Sequence, residues 1–180
     1  MSGCRYLLNW NPRKKCVSID IPADINDWLF DPSSLTARLI KKCSGRFRVE
    51  VLSIEKTTPT PDEIRVLKMR YRSQAIIRQV LLYCDDKPWV YARTIIPVSS
   101  LRGPLRGIAK LGNKPLGAVL FADKSMVRSE IEVACVKPDS ACYVWTHHKG
   151  DELVWGRRSV FWVRKKPLLV SEFFLPELLK

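Results

Sequence analysis

The sequence predicts an α+β fold: a single antiparallel β-sheet of about six strands, with short helices early and in the middle of the chain. Three observations carry this. The hydrophobic period switches from helical to alternating at Arg46, the later apolar runs follow one another in hairpin order, and no segment repeats. With 180 residues, 46% of them hydrophobic, the chain is long enough to bury a core as one domain spanning 1–180.

Element by element, Ile19 to Pro22 reads as extended, and Ala23 to Phe30 as a short helix with Ile25, Trp28 and Leu29 at helical spacing. A turn at Asp31-Pro32 precedes a second helix through Cys43, capped by Ser33 or Ser34 and carrying Leu35, Leu39 and Ile40 on one face. Phe47, Val49 and Val51 alternate with Arg48 and Glu50, the pattern of a strand with one wet face, and a Thr/Pro stretch from Thr57 to Pro61 ends it. After a charged segment containing Leu67 and Met69, Ala75 to Tyr83 and Trp89 to Val98 form a hairpin about Asp85-Asp86-Lys87-Pro88. Two short helices follow, Leu105 to Leu111 and Leu116 to Phe121. Strands resume at Val127 to Ala134, Trp155 to Val163 and Leu168 to Leu175, the last two joined at Arg164 to Pro167. Cys135 to Asp151 reads as a polar surface loop.

Gly 8 and Pro 12 exclude a collagen-like or low-complexity chain. No apolar run is long enough to cross a bilayer and Met1 to Trp10 lacks a signal-peptide pattern, so a cytosolic protein without an integral membrane segment is expected. The six scattered cysteines, Cys4, Cys16, Cys43, Cys84, Cys135 and Cys142, read as reduced thiols. The net charge of +13 is spread over short clusters, among them Arg13-Lys14-Lys15, Lys41-Lys42, Arg157-Arg158 and Arg164-Lys165-Lys166, the pattern of a solvated surface. A nucleic-acid partner is therefore not expected. The aromatics near Arg157 and Arg158 divide between the two faces of a strand, with Arg158, Val160 and Trp162 on one and Arg157, Ser159, Phe161 and Val163 on the other, which suits core packing better than base stacking.

Cys135, Cys142, His147 and His148 share one loop, but their spacing matches no familiar metal site, and none is expected. The sequence has no Gly-x-Ser-x-Gly, Walker loop, Gly-x-Gly-x-x-Gly or His-Glu-x-x-His. What remains is charge inside apolar strands: Arg78 in IIRQVLL, Arg93 between Val90 and Pro97, and Glu172 between Leu168 and Leu175. An ion there needs a partner or a ligand, because bringing it unpaired out of water costs several kcal/mol. A mutual Arg78–Glu172 salt bridge, charges on an edge strand, or a ligand site would each supply one.

WVYARTIIPVSSL (89–101), GPLRGIAKLGNKPLGAVLF (103–121), VWGRRS (154–159) and KPLLVSEFFLP (166–176), with weaker agreement at Asp27-Trp28-Leu29 and Ser34-Leu35-Thr36, resemble the chorismate pyruvate-lyase family of bacterial ubiquinone synthesis. The resemblance implies helical flaps over a buried cavity, and conversion of chorismate to 4-hydroxybenzoate and pyruvate with no metal or organic cofactor. It implies that Arg78 holds the ring carboxylate through a planar guanidinium, that Glu172 contacts the ring hydroxyl as a catalytic or binding group, and that Leu116 offers a backbone amide. Leu35 stands where the family's best-known members have methionine. Arg93 or Arg157 would help Arg78 with the substrate's two carboxylates. The Cys135–Asp151 loop is longer than the family's connection. A monomer binding only chorismate and its product is expected. The alternative is a non-catalytic module for aromatic acids, since a related fold serves as the effector domain of some transcription regulators; residues 1–30 read as too short for a DNA-binding domain.

Overall fold

The computed structural model describes residues 8–18, 20–108 and 111–180. Among the described residues eight strands form one antiparallel sheet: β1 (Asn11–Pro12), β2 (Phe47–Thr57), β3 (Ala75–Cys84), β4 (Lys87–Pro97), β5 (Val127–Arg128), β6 (Glu132–Val136), β7 (Val154–Val163) and β8 (Lys166–Phe174). Their order is β1-β6-β7-β8-β4-β3-β2, with β5 also pairing with β7. The two dipeptide strands, β1 and β5, account for the excess over the six expected. Five α-helices among the described residues accompany the sheet: α1 (Ala23–Phe30), α2 (Leu35–Lys42), α3 (Pro61–Val66), α4 (Pro104–Ile108) and α5 (Leu116–Ala122). Of the extended segment predicted before α1, Ile19 lies outside the described residues, and Asp20 to Pro22 has no regular structure.

Helix α1 buries Ile25, Trp28 and Leu29. In α2, Ser34 is the N-cap, its hydroxyl accepting from the Ala37 amide at 3.4 Å, and Lys41 and Lys42 favour the negative end of the helix dipole. The buried stripe is Leu35, Thr36 and Leu39, so Ile40, one residue further round, faces solvent, contrary to the sequence expectation. The β3–β4 hairpin turns on Asp85-Asp86, and Asp85 adopts the positive φ of 53° that such tight turns use. The same carboxylate accepts from the Arg46 amide at 2.8 Å and lies where a Cβ at Gly45 would project, so any larger residue there would have to displace it.

Four sequence expectations need correction. The segment read only as charged contains α3, started by a capping box in which Thr60 accepts from Glu63 N and Glu63 accepts from Thr60 N, with Pro61 in the first turn. The strand expected over Val127 to Ala134 is split, because Ser129 bonds through its backbone and its hydroxyl to Val160 and bulges the chain away between β5 and β6. The 135–151 segment is no simple surface loop: Cys135 and Val136 complete β6, Cys142, Tyr143 and Thr146 are buried, and the Tyr143 hydroxyl donates toward Gly150 O at 2.9 Å and Glu152 O at 2.7 Å. Finally, Cys43 and Cys84 are not thiols but a disulfide with Cα atoms 5.6 Å apart, because the docking of α2 brings its C-cap beside the end of β3. Cys135 keeps its thiol, and burial pushes it up from its ordinary value. Cys4 lies outside the described residues.

The core occupies both sheet faces. On one, α1 and α2 pack on Val80, Leu82, Ala92, Trp155 and Phe174, and α4 and α5 on Phe161 and Val170. On the other, Leu81, Tyr91 and Phe173 meet Tyr143 and the long loop, while Leu67 packs with Ile77, Ile95 and Leu169. Among the described residues no helix is long and apolar enough to cross a membrane.

The disulfide closes a loop of 41 residues' separation, so reduction or Cys84→Ser is expected to lower stability by about 2–4 kcal/mol in urea titrations run with and without reductant. On the second face, burial alone would raise the Asp62 carboxyl, but hydrogen bonds from Arg65 and Arg158 outweigh it and hold it below its ordinary value. Stability from Asp62 is therefore complete above that ordinary value and is lost as pH falls through the lowered one. Asp62→Asn should flatten the decline in unfolding midpoint between about pH 5 and about pH 2.

A charged cavity between the sheet and two helices

The register of the central strands selects the side chains on the helix-covered face. Arg78 in β3 lies opposite Thr94 in β4, Ala92 in β4 opposite Glu172 in β8, and Glu172 opposite Arg157 in β7. Strand alternation turns all of these inward. A cavity under the start of α2 and the start of α5 is lined by all four sequence-predicted site residues, Leu35, Arg78, Leu116 and Glu172. Arg78 and Glu172 stand on opposite sides of β4, two strand spacings apart and offset by two residues along it, about 12 Å at the backbone. Val80, Leu82, Ala92, Phe161, Val170 and Leu120 supply apolar walls.

The two flap helices meet at Gly117. A Cβ there would sit 3.0 Å from Thr36 Oγ and 3.1 Å from Ser34 Oγ, so the first turn of α5 rests directly on the hydroxyls that begin α2. Arg78, 2% exposed, reaches the flap connection: its Nη2 donates to Gly112 O at 2.8 Å and to Lys114 O at 3.1 Å. Its Nε is buried without an acceptor, and among the described residues it has no ion-pair partner. Burial pushes this guanidinium below its ordinary value.

Glu172 is paired, but not with Arg78. Arg157 Nε donates to Glu172 Oε2 at 2.7 Å, and Arg157 Nη1 donates to Trp28 O at 2.9 Å and Asp31 O at 2.7 Å. The direct β7–β8 register makes this the nearer partner, and the carbonyls at the end of α1 favour a cation there. Nor does Arg93 join the cavity. It follows Ala92, points to the opposite face and grips Glu63 at 2.7 and 3.2 Å. Arg157 and Arg158, grouped by sequence with the solvated clusters, are 1% and 3% exposed.

Sequence reasoning missed Arg128, which lines the cavity from β5. Its Nε donates to Ser159 Oγ at 3.0 Å and its Nη1 to Pro32 O at 3.1 Å, and its guanidinium lies 5.1 Å from the Phe161 ring centre. A two-residue strand beside a bulge carries no alternation signal long enough to show where it points. The cavity thus holds three arginines against one carboxylate, a surplus of two positive charges, with apolar walls between Arg78 and the Glu172 end. Such a site can bind a small, flat, anionic ligand that offers a hydroxyl to the carboxylate. The other set of candidate ligands, Cys135, Cys142, His147 and His148, is dispersed: His147 lies against Tyr91 and His148 bonds Glu152 at 2.8 Å.

Removing one partner of the buried pair should expose its cost: Arg157→Leu is expected to destabilise by about 3–5 kcal/mol in denaturant titration, with Arg157→Leu/Glu172→Gln recovering part of the loss.

A protein-family model described as chorismate lyase matches residues 8–180. Proteins named "Probable chorismate pyruvate-lyase" from Aromatoleum aromaticum and Nitrosomonas europaea are similar to this chain. The first is 40% identical over 169 residues, covering 89% of each chain, and the second 35% identical over 174 residues, covering 94% of each. Among solved structures, the ligand-binding domain of a regulator assigned to the GntR family from Bordetella bronchiseptica has a TM-score of 0.56 at 14% identity, covering 74% of this chain and 87% of that one, a likeness of fold. Motifs, fold and relatives converge, and the chain belongs to the chorismate lyase family.

Proposed function

We propose that the protein is a chorismate pyruvate-lyase that needs neither metal nor organic cofactor. The bond between the ring and the enolpyruvyl oxygen breaks, a proton leaves the hydroxyl-bearing ring carbon and ends on the departing side chain, and chorismate becomes 4-hydroxybenzoate and pyruvate, the entry to ubiquinone synthesis. The observation that carries this reading is Arg78: a buried guanidinium with an unsatisfied Nε, across apolar walls from the Glu172 carboxylate. A carboxylate on Arg78 and a ring hydroxyl on Glu172 would satisfy both ends with one planar ligand.

The residues fit the chemistry asked of them. Aromatisation makes the step strongly downhill, so the protein's task is to hold the reactive conformer, exclude water and stabilise charge on the departing oxygen. Arg78 orients the ring, the backbone at Leu35 and Leu116 closes over it, and Glu172, fixed by Arg157, stands at the carbon that loses its proton. A general-base Glu172 and a concerted transfer to the side chain differ in one observable: Glu172→Gln abolishes single-turnover chemistry in the first case and preserves it in the second.

Metal-stripped protein incubated with chorismate should release 4-hydroxybenzoate and pyruvate in equal amounts, and Arg78→Ala and Glu172→Ala should each lose about 100-fold or more in kcat/KM. Tight 4-hydroxybenzoate binding with no product formed would replace the lyase by a ligand-binding module. An enclosed site should also release product slowly, so rapid mixing is expected to show a burst of 4-hydroxybenzoate before steady turnover; strictly linear formation from the first turnover would remove flap opening as the slow step.

A further inference from the structure

The two sheet faces handle their buried and half-buried arginines differently. On the face away from the flaps, Arg93 is held by Glu63, and Arg158 by Asp62 and by Glu132 at 2.7 Å. Among the described residues that line the cavity, Arg157 alone among the arginines has such a partner. Arg78 and Arg128 line the cavity without a carboxylate in ion-pair range among the described residues. Asp31, the outside carboxylate whose field reaches Arg128, is taken by Arg38 at 2.9 Å. The fixed acceptors of Arg128, a serine hydroxyl and a proline carbonyl, are neutral.

The two surplus cations occupy different parts of the cavity. Arg128 pairs through β5 with Phe161 of β7, on the Arg157–Glu172 side, whereas Arg78 lies beyond β4 on β3. In the substrate of the proposed reaction, the ring carbon carrying the hydroxyl adjoins the carbon carrying the enolpyruvyl ether. A hydroxyl at Glu172 therefore puts the side chain, with its own carboxylate, near Arg128. Resting on that lyase reading, we propose that Arg128 binds the side-chain carboxylate of the substrate, as Arg78 binds the ring carboxylate. Two free arginines then match a dianion. Burial, followed by the neighbouring positive charge of Arg157, pushes the Arg128 guanidinium down to about 10, the direction expected of a cation awaiting an anion. Pyruvate leaves with that carboxylate, so the remaining monoanion would keep Arg78 and lose Arg128.

The test compares a two-carboxylate ligand with a one-carboxylate ligand in the same variant, which cancels any general damage from cutting the links to Pro32 and Ser159. For wild type, Arg128→Gln, Arg128→Lys and Arg78→Gln, calorimetry gives the Kd of 4-hydroxybenzoate and steady-state assay gives kcat/KM for chorismate. Arg128→Gln is expected to lower kcat/KM about 30-fold or more while the 4-hydroxybenzoate Kd stays within about threefold, Arg128→Lys to recover part of the loss, and Arg78→Gln to lose both. Parallel losses for the two ligands, or no loss for either, would overturn the assignment. A wild type that turned over no chorismate would end the lyase reading alone, because calorimetric Kd values for chorismate and 4-hydroxybenzoate still yield the same ratio for Arg128. A wild type that bound neither acid would end both.

Discussion

The buried Arg157–Glu172 pair is the constraint on which the rest of the cavity depends. An arginine only 1% exposed cannot stand alone, and here it is neutralised by the carboxylate directly across the β7–β8 ladder. Its Nη1 donates to the carbonyls of Trp28 and Asp31, which ties the end of α1 to the sheet. The chain leaving that point turns at Asp31-Pro32 and caps α2 with Ser34, so one side chain fixes both the acid at the floor of the cavity and the helix at its roof. With Glu172 engaged, Arg78 and Arg128 have no carboxylate in ion-pair range among the described residues.

The positions of β3, β4, β7 and β8 were readable because each strand buries both faces over nine residues or more, so apolar runs mark them to within a few positions. Sequence physics also picked out Arg78 and Glu172 as ions that needed an explanation, and the family motifs assigned them to one pocket. Their partners were a different matter. A pair across a sheet depends on register, and register depends on packing that no local pattern records, so Glu172 could be matched with Arg78 when it lies opposite Arg157. The Cys43–Cys84 disulfide escaped for the same reason, since it forms only once α2 has docked. Helix α3 is the contrary case. Its Thr60-Pro61 start and Glu63 were in plain sight, and reading the Thr/Pro stretch only as the end of a strand concealed a capping box.

One sheet thus supports two kinds of interior from the same strands. Even and odd positions of β4 diverge at Ala92 and Arg93: the first helps to wall the cavity, the second enters a network in which every arginine has its carboxylate. The satisfied face is structural, held by Glu63 and Asp62 from α3 and by Glu132 from β6. Under the proposed function, the unsatisfied face is where a ligand would supply what the fold leaves out. Burying positive charge without a counterion opposes folding, and sites that carry such a cost are where binding is sought.

The most direct measurement of this account is a crystal structure of the protein with 4-hydroxybenzoate. The account predicts the acid inside the cavity, its carboxylate accepting from Arg78 Nε and its hydroxyl at Glu172. A ligand bound in the reverse sense, or seated outside the cavity with Arg78 Nε still lacking an acceptor, would contradict it.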